Sequence, residues 1–286
     1  MTGADGRLGR ALLARLRELD VPAIPWRRPD FDLDDPAAAA RMVARDRPRT
    51  IIHAAAWTDV DGCARDPATA MRRNARAVRE MAEAAAASGA QLVVLSTNEV
   101  FDGRRTDGQG YRETDPAEPA NPYGASKLAG ERAAVVAFSR AGRSADLWVV
   151  RTAWLFGAGA PDFPAKILAA ADRLAPGEAL PVVADEVGSP TYAPDLAAAL
   201  LDVVERAPGD LYHLVNAGRA SRLEWARAVL ARAGRATAVR PISQADFARP
   251  SRPPRWAVLA TGRAAGLGVA LRPWGDALAQ RLAGDV

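Results

Sequence analysis

A tyrosine and a lysine stand four residues apart in the segment NPYGASKLAGE, as Tyr123 and Lys127. This spacing places both side chains on one face of a helix. A phenol can protonate the oxygen of a carbonyl group during its reduction, and a nearby ammonium group lowers the pKa of the phenol towards neutrality. Of the 38 basic residues only Lys127 and Lys166 are lysines, which indicates that arginine would not serve at this position. The alternative is an exposed helix pair without a chemical role.

A hydroxyl group at the end of a neighbouring strand would complete such a site. The segment VVLSTNEVFDG predicts a buried strand that ends at Ser96 and Thr97. Ligands of parallel α/β sheets bind beyond the carboxyl ends of the strands. Either hydroxyl could therefore hydrogen-bond the carbonyl oxygen of a substrate and the phenol of Tyr123.

The first nine residues, MTGADGRLG, contain Gly3, Gly6 and Gly9. In a dinucleotide-binding turn the first glycine permits the tight turn and the second lets backbone N–H groups approach a pyrophosphate. The third permits close packing of helix and sheet. Leucines recur every three or four residues directly afterwards, which predicts an amphipathic helix. The combination predicts dinucleotide binding, and an ordinary turn of small residues is the alternative.

The residues after the second strand bear on which dinucleotide binds. An acid there would hold a ribose 2′-hydroxyl and repel a 2′-phosphate. The sequence has Trp26, Arg27 and Arg28 at that place, and no acid before Asp30. Two arginines can bind a phosphate through charge and hydrogen bonds, so the segment favours NADPH, with NADH as the second choice. Two solvated arginines in an arginine-rich protein are the alternative.

Strand-like and helix-like segments alternate up to residue 155, which predicts an α/β, Rossmann-like fold with a doubly wound parallel sheet. We expect a dinucleotide-binding domain over residues 1–155, which also receives a segment near 187–215. Residues 156–286 are expected to form mainly a smaller, interleaved C-terminal lobe that binds substrate. No linker or internal repeat separates the two.

The first strand of this sheet is expected to be truncated, because only Met1 and Thr2 precede the first glycine. In a doubly wound sheet that strand is central, so its loss would leave the neighbouring strands unpaired. A start codon placed too late would account for this. The run VPAIPW that follows the first helix contains Pro22 and Pro25, which central strands rarely tolerate.

Composition excludes several classes of protein. The 286-residue chain is 49% hydrophobic, which suffices for one α/β domain with an appended lobe. Its single cysteine, Cys63, and two histidines, His53 and His213, provide no disulfide framework or zinc site, and we expect no metal. No apolar run approaches twenty residues, which predicts a cytoplasmic protein outside the membrane. The net charge of +4 comes from arginines interleaved with acids, so no nucleic-acid partner is expected.

Several segments together resemble the extended short-chain dehydrogenase/reductase superfamily, and within it the dTDP-4-dehydrorhamnose reductase family. They cover nearly the whole chain and are TGADGRLG, HAAAWTDVDGCARDP, STNEVFDG, NPYGASKLAGE, RTAWLFG, GSPTYAPDLA and RPWGDAL. The segments RTAWLFG and GSPTYAPDLA distinguish this branch from related epimerases. The resemblance implies NAD(P)H-dependent reduction of the C4 keto group of a nucleotide-linked 4-keto-6-deoxyhexose, dTDP-4-dehydro-L-rhamnose first of all. It also allows a homodimer.

The resemblance further implies roles for individual residues. Tyr123 would be the proton donor, Lys127 its partner and a ribose ligand, and Thr97 the hydroxyl that polarises the C4 carbonyl. Trp154 would pack on the sugar with Asn98 beside it, although without the resemblance Trp154 would more often be a core residue. Gly6, Arg7 and Leu8 would line the pyrophosphate, Asp32 and Leu33 the adenine, and Ala56, Trp57 and Thr58 the approach to the nicotinamide. With Gly3, Gly9, Arg27, Arg28 and Lys127 these complete the expected cofactor site.

The chain departs from the usual pattern of that family at four positions. Asn98 and Glu99 stand where the reductases commonly have aspartate and tyrosine, which leaves the exact sugar open. His53 takes a place often held by asparagine, and Arg27 one often held by aspartate, which favours NADPH. Two other functions stay open. One is a nucleotide-sugar epimerase or dehydratase that recycles a tightly held NAD⁺, and the other is a non-catalytic regulatory subunit that binds a cofactor.

Overall fold

Strands and helices alternate in the computed structural model, which describes residues 1–284. The helices are α1 (Arg7–Glu18), α2 (Ala38–Asp46), α3 (Val60–Arg65), α4 (Pro67–Met71), α5 (Ala77–Ser88), α6 (Pro122–Arg140), α7 (Phe163–Ala171), α8 (Ala193–Arg206), α9 (Arg222–Arg232), α10 (Gly262–Gly266) and α11 (Trp274–Ala283). The strands are β1 (Thr50–His53), β2 (Gln91–Thr97), β3 (Leu147–Thr152), β4 (Leu155–Phe156), β5 (Leu180–Val183), β6 (Val187–Gly188), β7 (Thr191–Tyr192), β8 (Leu211–His213), β9 (Asn216–Ala217), β10 (Ala220–Ser221), β11 (Val239–Ile242) and β12 (Leu271–Pro273). A π-helical turn, Arg72–Arg76, joins α4 to α5.

The central sheet is parallel and runs in the order β1, β2, β3, β8. Ile51 of β1 pairs with Leu92 of β2, and Val94 of β2 pairs with Val149 of β3. Nearly every residue of β2 and β3 is buried, as expected of strands covered on both faces by helices. The predicted α/β fold with a parallel sheet is confirmed.

Thr2 occupies an inner position of the sheet, between Trp26 and His53. It forms parallel bridges to both of these residues. Its N–H donates to the carbonyl oxygen of Ile52 at 3.0 Å, and the N–H of Trp26 donates to the carbonyl oxygen of Met1 at 2.7 Å. Beside the turn that contains Gly3, Gly6 and Gly9 (the glycine turn), the segments of Trp26 and His53 are therefore bridged through Thr2. This is contrary to the expectation that the neighbouring strands lack pairing. The proline-containing run 21–25 forms no strand, as its prolines indicated.

Helices cover both faces of the sheet. On one face α1 and α8 pack through residues such as Leu12 and Leu200 against Val93 and Val150. On the other face α2, α5 and α6 bury residues such as Met81 and Phe138 against the same strands. The chain leaves the sheet after β3 and returns to it over residues 193–213, which form α8 and β8.

A second hydrophobic core lies beside the sheet and is built mainly from aromatic side chains. Trp225 is its centre, 1% exposed, and stacks on Phe163 with 4.3 Å between ring centroids. Phe156 and Leu278 also belong to this core, and short two-stranded pairings such as β5 with β11 surround it. The boundary between two domains at residue 155 stays a prediction.

Within residues 1–284, no helix combines the length and apolar character that crossing a bilayer requires. The same part of the chain contains no group of three or more histidine, cysteine, aspartate or glutamate side chains placed to hold a metal ion.

A buried ion pair joins α6 to β3. Arg151 donates to the carboxylate of Glu131 from Nη2 at 2.6 Å and from Nε at 3.0 Å. The two side chains are only 5% and 6% exposed. Ser96 donates its hydroxyl to the same carboxylate. Because both charges are withdrawn from water, each depends on the other for stabilisation.

We expect Arg151→Met to lower the free energy of unfolding by about 3–5 kcal/mol, because it leaves the buried carboxylate of Glu131 without its counter-charge. Arg15→Ala breaks an exposed ion pair with Glu18 on α1 and should cost less than about 1 kcal/mol. Urea unfolding followed by circular dichroism measures both values. The double variant Glu131→Gln/Arg151→Met should recover part of the loss. Equal losses of stability for Arg151→Met and Arg15→Ala would contradict the role of the buried pair.

Candidate active site

A cavity of about 710 Å³ lies at the carboxyl ends of β1, β2 and β3. The glycine turn, the strand ends and one face of α6 line it. Every residue that the sequence predicts to contact cofactor or substrate contributes to this lining. These are Gly3, Gly6, Arg7, Leu8, Gly9, Arg27, Arg28, Asp32, Leu33, Ala56, Trp57, Thr58, Thr97, Asn98, Tyr123, Lys127 and Trp154. The structure thus brings together residues that are up to 151 positions apart.

The glycine turn requires its first and third glycines. Gly3 has φ +65°, and a Cβ atom there would lie 2.7 Å from the backbone carbon of Ala54. A Cβ atom on Gly9 would collide with the carbonyl oxygen of Gly3. Gly6 precedes α1, whose first N–H groups receive no capping bond from a side chain. The amino end of a twelve-residue helix, with its partial positive charge, therefore borders the cavity.

Arg7 borders the cavity at the start of α1, but its guanidinium group points elsewhere. Nε donates to the carbonyl oxygen of Gly157 at 3.2 Å, and Nη2 donates to that of Ala160 at 2.6 Å. The side chain therefore connects the glycine turn to the loop that leads into the second core.

Two arginines, Arg27 and Arg28, follow Trp26 and line one end of the cavity. Nε of Arg27 lies 2.8 Å from Oδ1 of Asp5, and both side chains are about half exposed. The side chain of Arg28 has no hydrogen-bond or ion-pair partner within residues 1–284. Asp32 accepts the N–H of Asp34 at 2.9 Å, so one of its oxygens is engaged in a local turn. This end of the cavity therefore offers guanidinium groups.

Asn74 holds the segment that contains Trp57. Its Oδ1 accepts the N–H of Trp57 at 2.8 Å, and its Nδ2 donates to the carbonyl oxygen of the same residue at 3.0 Å. Nδ2 also donates to Oγ of Ser126 on α6 at 3.1 Å. Sequence reasoning missed Asn74, although an asparagine inside a helical segment is disfavoured and was the available signal. It sits in the π-helical turn, a feature frequent at functional sites.

Tyr123 and Lys127 lie on α6 and are 9% and 5% exposed. Nζ of Lys127 donates to the carbonyl oxygen of Leu95, near the end of β2, at 2.6 Å. Burial lowers the pKa of Lys127 to about 8, and the negative charge of Glu131 acts in the opposite direction. The ammonium form therefore predominates at neutral pH.

The pKa of Tyr123 lies well above its ordinary value. Burial is the main cause, the negative charge of Glu99 adds to it, and a hydrogen bond with Thr97 acts in the opposite direction. The expectation that Lys127 lowers the pKa of this phenol is therefore wrong in this structure, where the ammonium group bonds to Leu95 instead. A protonated phenol at neutral pH is nevertheless the form that a proton donor requires.

The structure distinguishes the two candidate hydroxyl groups. The hydroxyl of Ser96 donates a hydrogen bond to the carboxylate of Glu131 and is therefore engaged within the protein. Oγ1 of Thr97 donates to Oδ1 of Asn98 at 3.3 Å and accepts the N–H of Glu99 at 3.2 Å, and the hydroxyl lies near enough to Tyr123 to act on the pKa of its phenol. Of the two, Thr97 is therefore the hydroxyl placed beside the phenol. Nδ2 of Asn98 donates to the carbonyl oxygen of Ala257 at 2.9 Å, so this side chain connects the end of β2 to the segment around Ala257.

Trp154 marks the border between the cavity and the second core. Its φ of +43° is rare for a residue other than glycine. The guanidinium carbon of Arg222 lies 3.6 Å from the centre of the Trp154 ring, and Nε of Arg222 donates to Glu186 at 3.3 Å. Sequence reasoning missed Arg222, because nothing in the sequence singles out one arginine among so many. A sugar at Trp154 would thus also meet a guanidinium group.

Comparison with known proteins gives consistent matches. The model of the family described as RmlD substrate binding domain matches residues 1–285. A dTDP-4-dehydrorhamnose reductase from Streptomyces griseus is 39% identical over 98% of this chain and 91% of its own length. Crystal structures of dTDP-4-dehydrorhamnose reductases from Clostridium acetobutylicum and from Bacillus anthracis, the latter in complex with NADP, have TM-scores of 0.90 and 0.88. Each of the two is 30% identical, and each match covers 99% of this chain and 97% of the other.

These matches extend through both the glycine turn and the second core, so they are not limited to the part that carries the dinucleotide motif. The chain belongs to the RmlD substrate binding domain family.

Proposed function

We propose that this protein uses NADPH to reduce the C4 keto group of a nucleotide-linked 4-keto-6-deoxyhexose, converting dTDP-4-dehydro-L-rhamnose to dTDP-L-rhamnose. The observation that carries the proposal is the convergence of Thr97, Tyr123 and Lys127 on the cavity that also holds the glycine turn. The relatives named as dTDP-4-dehydrorhamnose reductases support the substrate class, and the relative in complex with NADP supports the cofactor. The cytoplasmic location, the homodimer and the domain division stay predictions from the sequence.

Thr97 and Tyr123 act together on the substrate carbonyl. NADPH, when bound, supplies the hydride that C4 receives. The Thr97 hydroxyl orients the carbonyl oxygen, and the protonated phenol of Tyr123 gives its proton to that oxygen as negative charge develops on it. Both groups are held in advance by α6 and β2, so they stabilise the developing charge without reorganisation. Holding the two reactants in one cleft contributes further through proximity.

Lys127 serves the same step through its charge. Its ammonium group is anchored on the carbonyl oxygen of Leu95 and lies on the same helix face as Tyr123. There it reaches the nicotinamide ribose and places a positive charge on the face of α6 from which Tyr123 gives its proton. Asn98 and Trp154 bind the sugar, with Arg222 over the Trp154 ring as an additional contact.

The cofactor site follows from the charges along the cavity. The free N–H groups at the start of α1 bind the pyrophosphate, an arrangement common at helix amino ends. Arg27 and Arg28 bind the 2′-phosphate that distinguishes NADPH from NADH. Leu33 and Asp32 line the adenine, and the segment around Trp57 lines the nicotinamide.

The decisive test is the oxidation of NADPH by the purified protein with dTDP-4-dehydro-L-rhamnose, followed at 340 nm. We expect Tyr123→Phe to lower kcat by about 10²–10⁴-fold, because the proton donor is lost. Tyr212→Phe is the control, since its hydroxyl bonds to Pro208 outside the cavity, and it should leave turnover unchanged.

The same experiment separates the two other functions. Tightly held NAD⁺ in the purified protein without net consumption of NADPH would favour an epimerase or dehydratase. A biological activity that survives Tyr123→Phe without loss would favour a regulatory subunit.

The pH dependence of the reaction reports on Lys127. Since burial lowers the pKa of this ammonium group to about 8, we expect kcat to be constant at neutral pH and to fall as pH rises through about 8. Lys127→Arg keeps the positive charge over this range, because arginine titrates only above pH 12. Its residual activity should therefore lack the alkaline decline. An unchanged decline in that variant would assign the titration to another group.

Cofactor preference should depend on the exposed arginines. We expect Arg27→Asp to weaken NADPH binding by about tenfold or more, which corresponds to about 1.4 kcal/mol, because a charge-assisted hydrogen bond to the 2′-phosphate is lost. NADH binding should change little or improve. Titrations followed by nicotinamide fluorescence measure both, with the exposed residue Arg17, changed to alanine, as the control outside the cavity. Equal weakening of both cofactors would argue against a 2′-phosphate contact.

A further inference from the structure

Glu99 lines the substrate end of the cavity, two residues beyond Thr97. Its N–H donates to Oγ1 of Thr97 at 3.2 Å. Its carbonyl oxygen lies directly against Gly124 on α6, where a Cβ atom would collide with it. The backbone of Glu99 is therefore seated between the hydroxyl of Thr97 and the first turn of the helix that carries Tyr123.

The carboxyl group of Glu99 is anchored through one oxygen only. Asn121 caps α6 by accepting the N–H of Gly124 at 2.9 Å, and its Nδ2 donates to Oε2 of Glu99 at 2.6 Å. Oε1 has no hydrogen-bond partner among residues 1–284. The side chain is thus oriented by a residue whose own position is fixed by the helix.

The charge of Glu99 acts on groups of the same cavity. It contributes to the raised pKa of Tyr123, so the carboxyl group and the phenol are electrostatic neighbours. Burial raises the pKa of Glu99 itself, while the hydrogen bond from Asn121 and the positive charge of Arg222 act in the opposite direction. The carboxyl group is therefore a stronger base, when ionised, than an exposed glutamate.

This placement suits proton transfer at carbon. A hydrogen on a carbon adjacent to a ketone becomes acidic when the carbonyl oxygen accepts hydrogen bonds, because the charge of the resulting enolate is stabilised there. Thr97 and Tyr123 provide those bonds in the proposed function, on which this inference rests. A base beside the carbonyl would then complete the requirements for proton exchange.

We propose that Glu99 removes and returns the proton on a carbon adjacent to the C4 ketone of the bound sugar. The C–H bond breaks and its proton passes to the carboxylate, while the electron pair forms a C=C bond and the carbonyl electrons move to oxygen. The reverse step restores the ketone. The sugar is neither oxidised nor reduced, and no co-reactant is consumed.

A single base predicts exchange with retention of configuration, since the proton returns from the face that it left. The other carboxylates of the lining are already engaged within the protein, since Asp5 pairs with Arg27, Asp34 pairs with Arg73, and Asp32 accepts the N–H of Asp34. The thiol of Cys63 donates to the carbonyl oxygen of Trp57 at 3.6 Å, and burial raises its pKa to about 11. Cys63 is also absent from the cavity lining, so it offers no second acid within the described residues.

The test uses the full-length protein with dTDP-4-keto-6-deoxy-D-glucose and NADP⁺ in D₂O, so that no hydride can be transferred. Proton NMR follows the loss of the C3–H and C5–H signals. We expect the protein to accelerate exchange at one of these carbons by about tenfold or more over the protein-free rate, and Glu99→Gln to return it to that rate. The exchanged sugar should keep its configuration.

Two variants keep the test independent of folding. Glu99→Asp retains a carboxylate and should keep part of the exchange, whereas Glu83→Gln, on the outer surface of α5, should behave as the wild type. Circular dichroism and NADPH binding establish that each variant is folded.

The outcomes separate this inference from the proposed function. NADPH-dependent reduction without accelerated exchange would overturn the role of Glu99 alone, as would exchange at the wild-type rate in folded Glu99→Gln. The absence of both reduction and exchange would overturn the proposed function as well. An inverted product would also contradict a single base.

Discussion

The arrangement of the site depends on a hydrogen bond that ties α6 to β2, next to the ion pair that joins the same helix to β3. Lys127, almost fully buried, donates from Nζ to the carbonyl oxygen of Leu95 at 2.6 Å. A buried ammonium group without such a partner would be strongly unfavourable, so this contact must form whenever α6 packs on the sheet. Together with the ion pair of Glu131 and Arg151, it holds α6 in one rotation about its own axis. That rotation decides where Tyr123 stands relative to Thr97 at the end of β2.

Small residues let α6 approach closely enough for this bond to form. Gly124 makes room for the carbonyl oxygen of Glu99, and Gly130 makes room for that of Asn74, which a Cβ atom would meet at 2.5 Å. Ser126 accepts a hydrogen bond from the amide of Asn74. The segment NPYGASKLAGE is therefore a packing surface as well as a carrier of reactive groups. Its glycines and its serine are needed for the tyrosine and the lysine to reach their places.

The pattern of the sequence was sufficient to predict the parallel sheet, the glycine turn and the placement of Thr97, Tyr123 and Lys127 at one cavity. The sheet and the turn follow from periodicity and glycine spacing, the Tyr123–Lys127 pair from its helical spacing, and Thr97 from its place at the end of a predicted strand. Asn74 and Arg222 were missed because their importance lies in contacts that no spacing or periodicity indicates, with Trp57 in one case and Trp154 in the other. The pKa of Tyr123 was predicted in the wrong direction, because spacing indicates proximity to a lysine but does not measure burial.

Arg7 has a mechanical consequence for the two halves of the cavity. Its backbone belongs to the turn at the start of α1, while its guanidinium group holds the carbonyl oxygens of Gly157 and Ala160. Arg7 thus joins the turn at the amino end of α1 directly to the loop that leads to the second core. A movement of either segment would pull on the other through these two hydrogen bonds, so the two ends of the cavity are mechanically coupled.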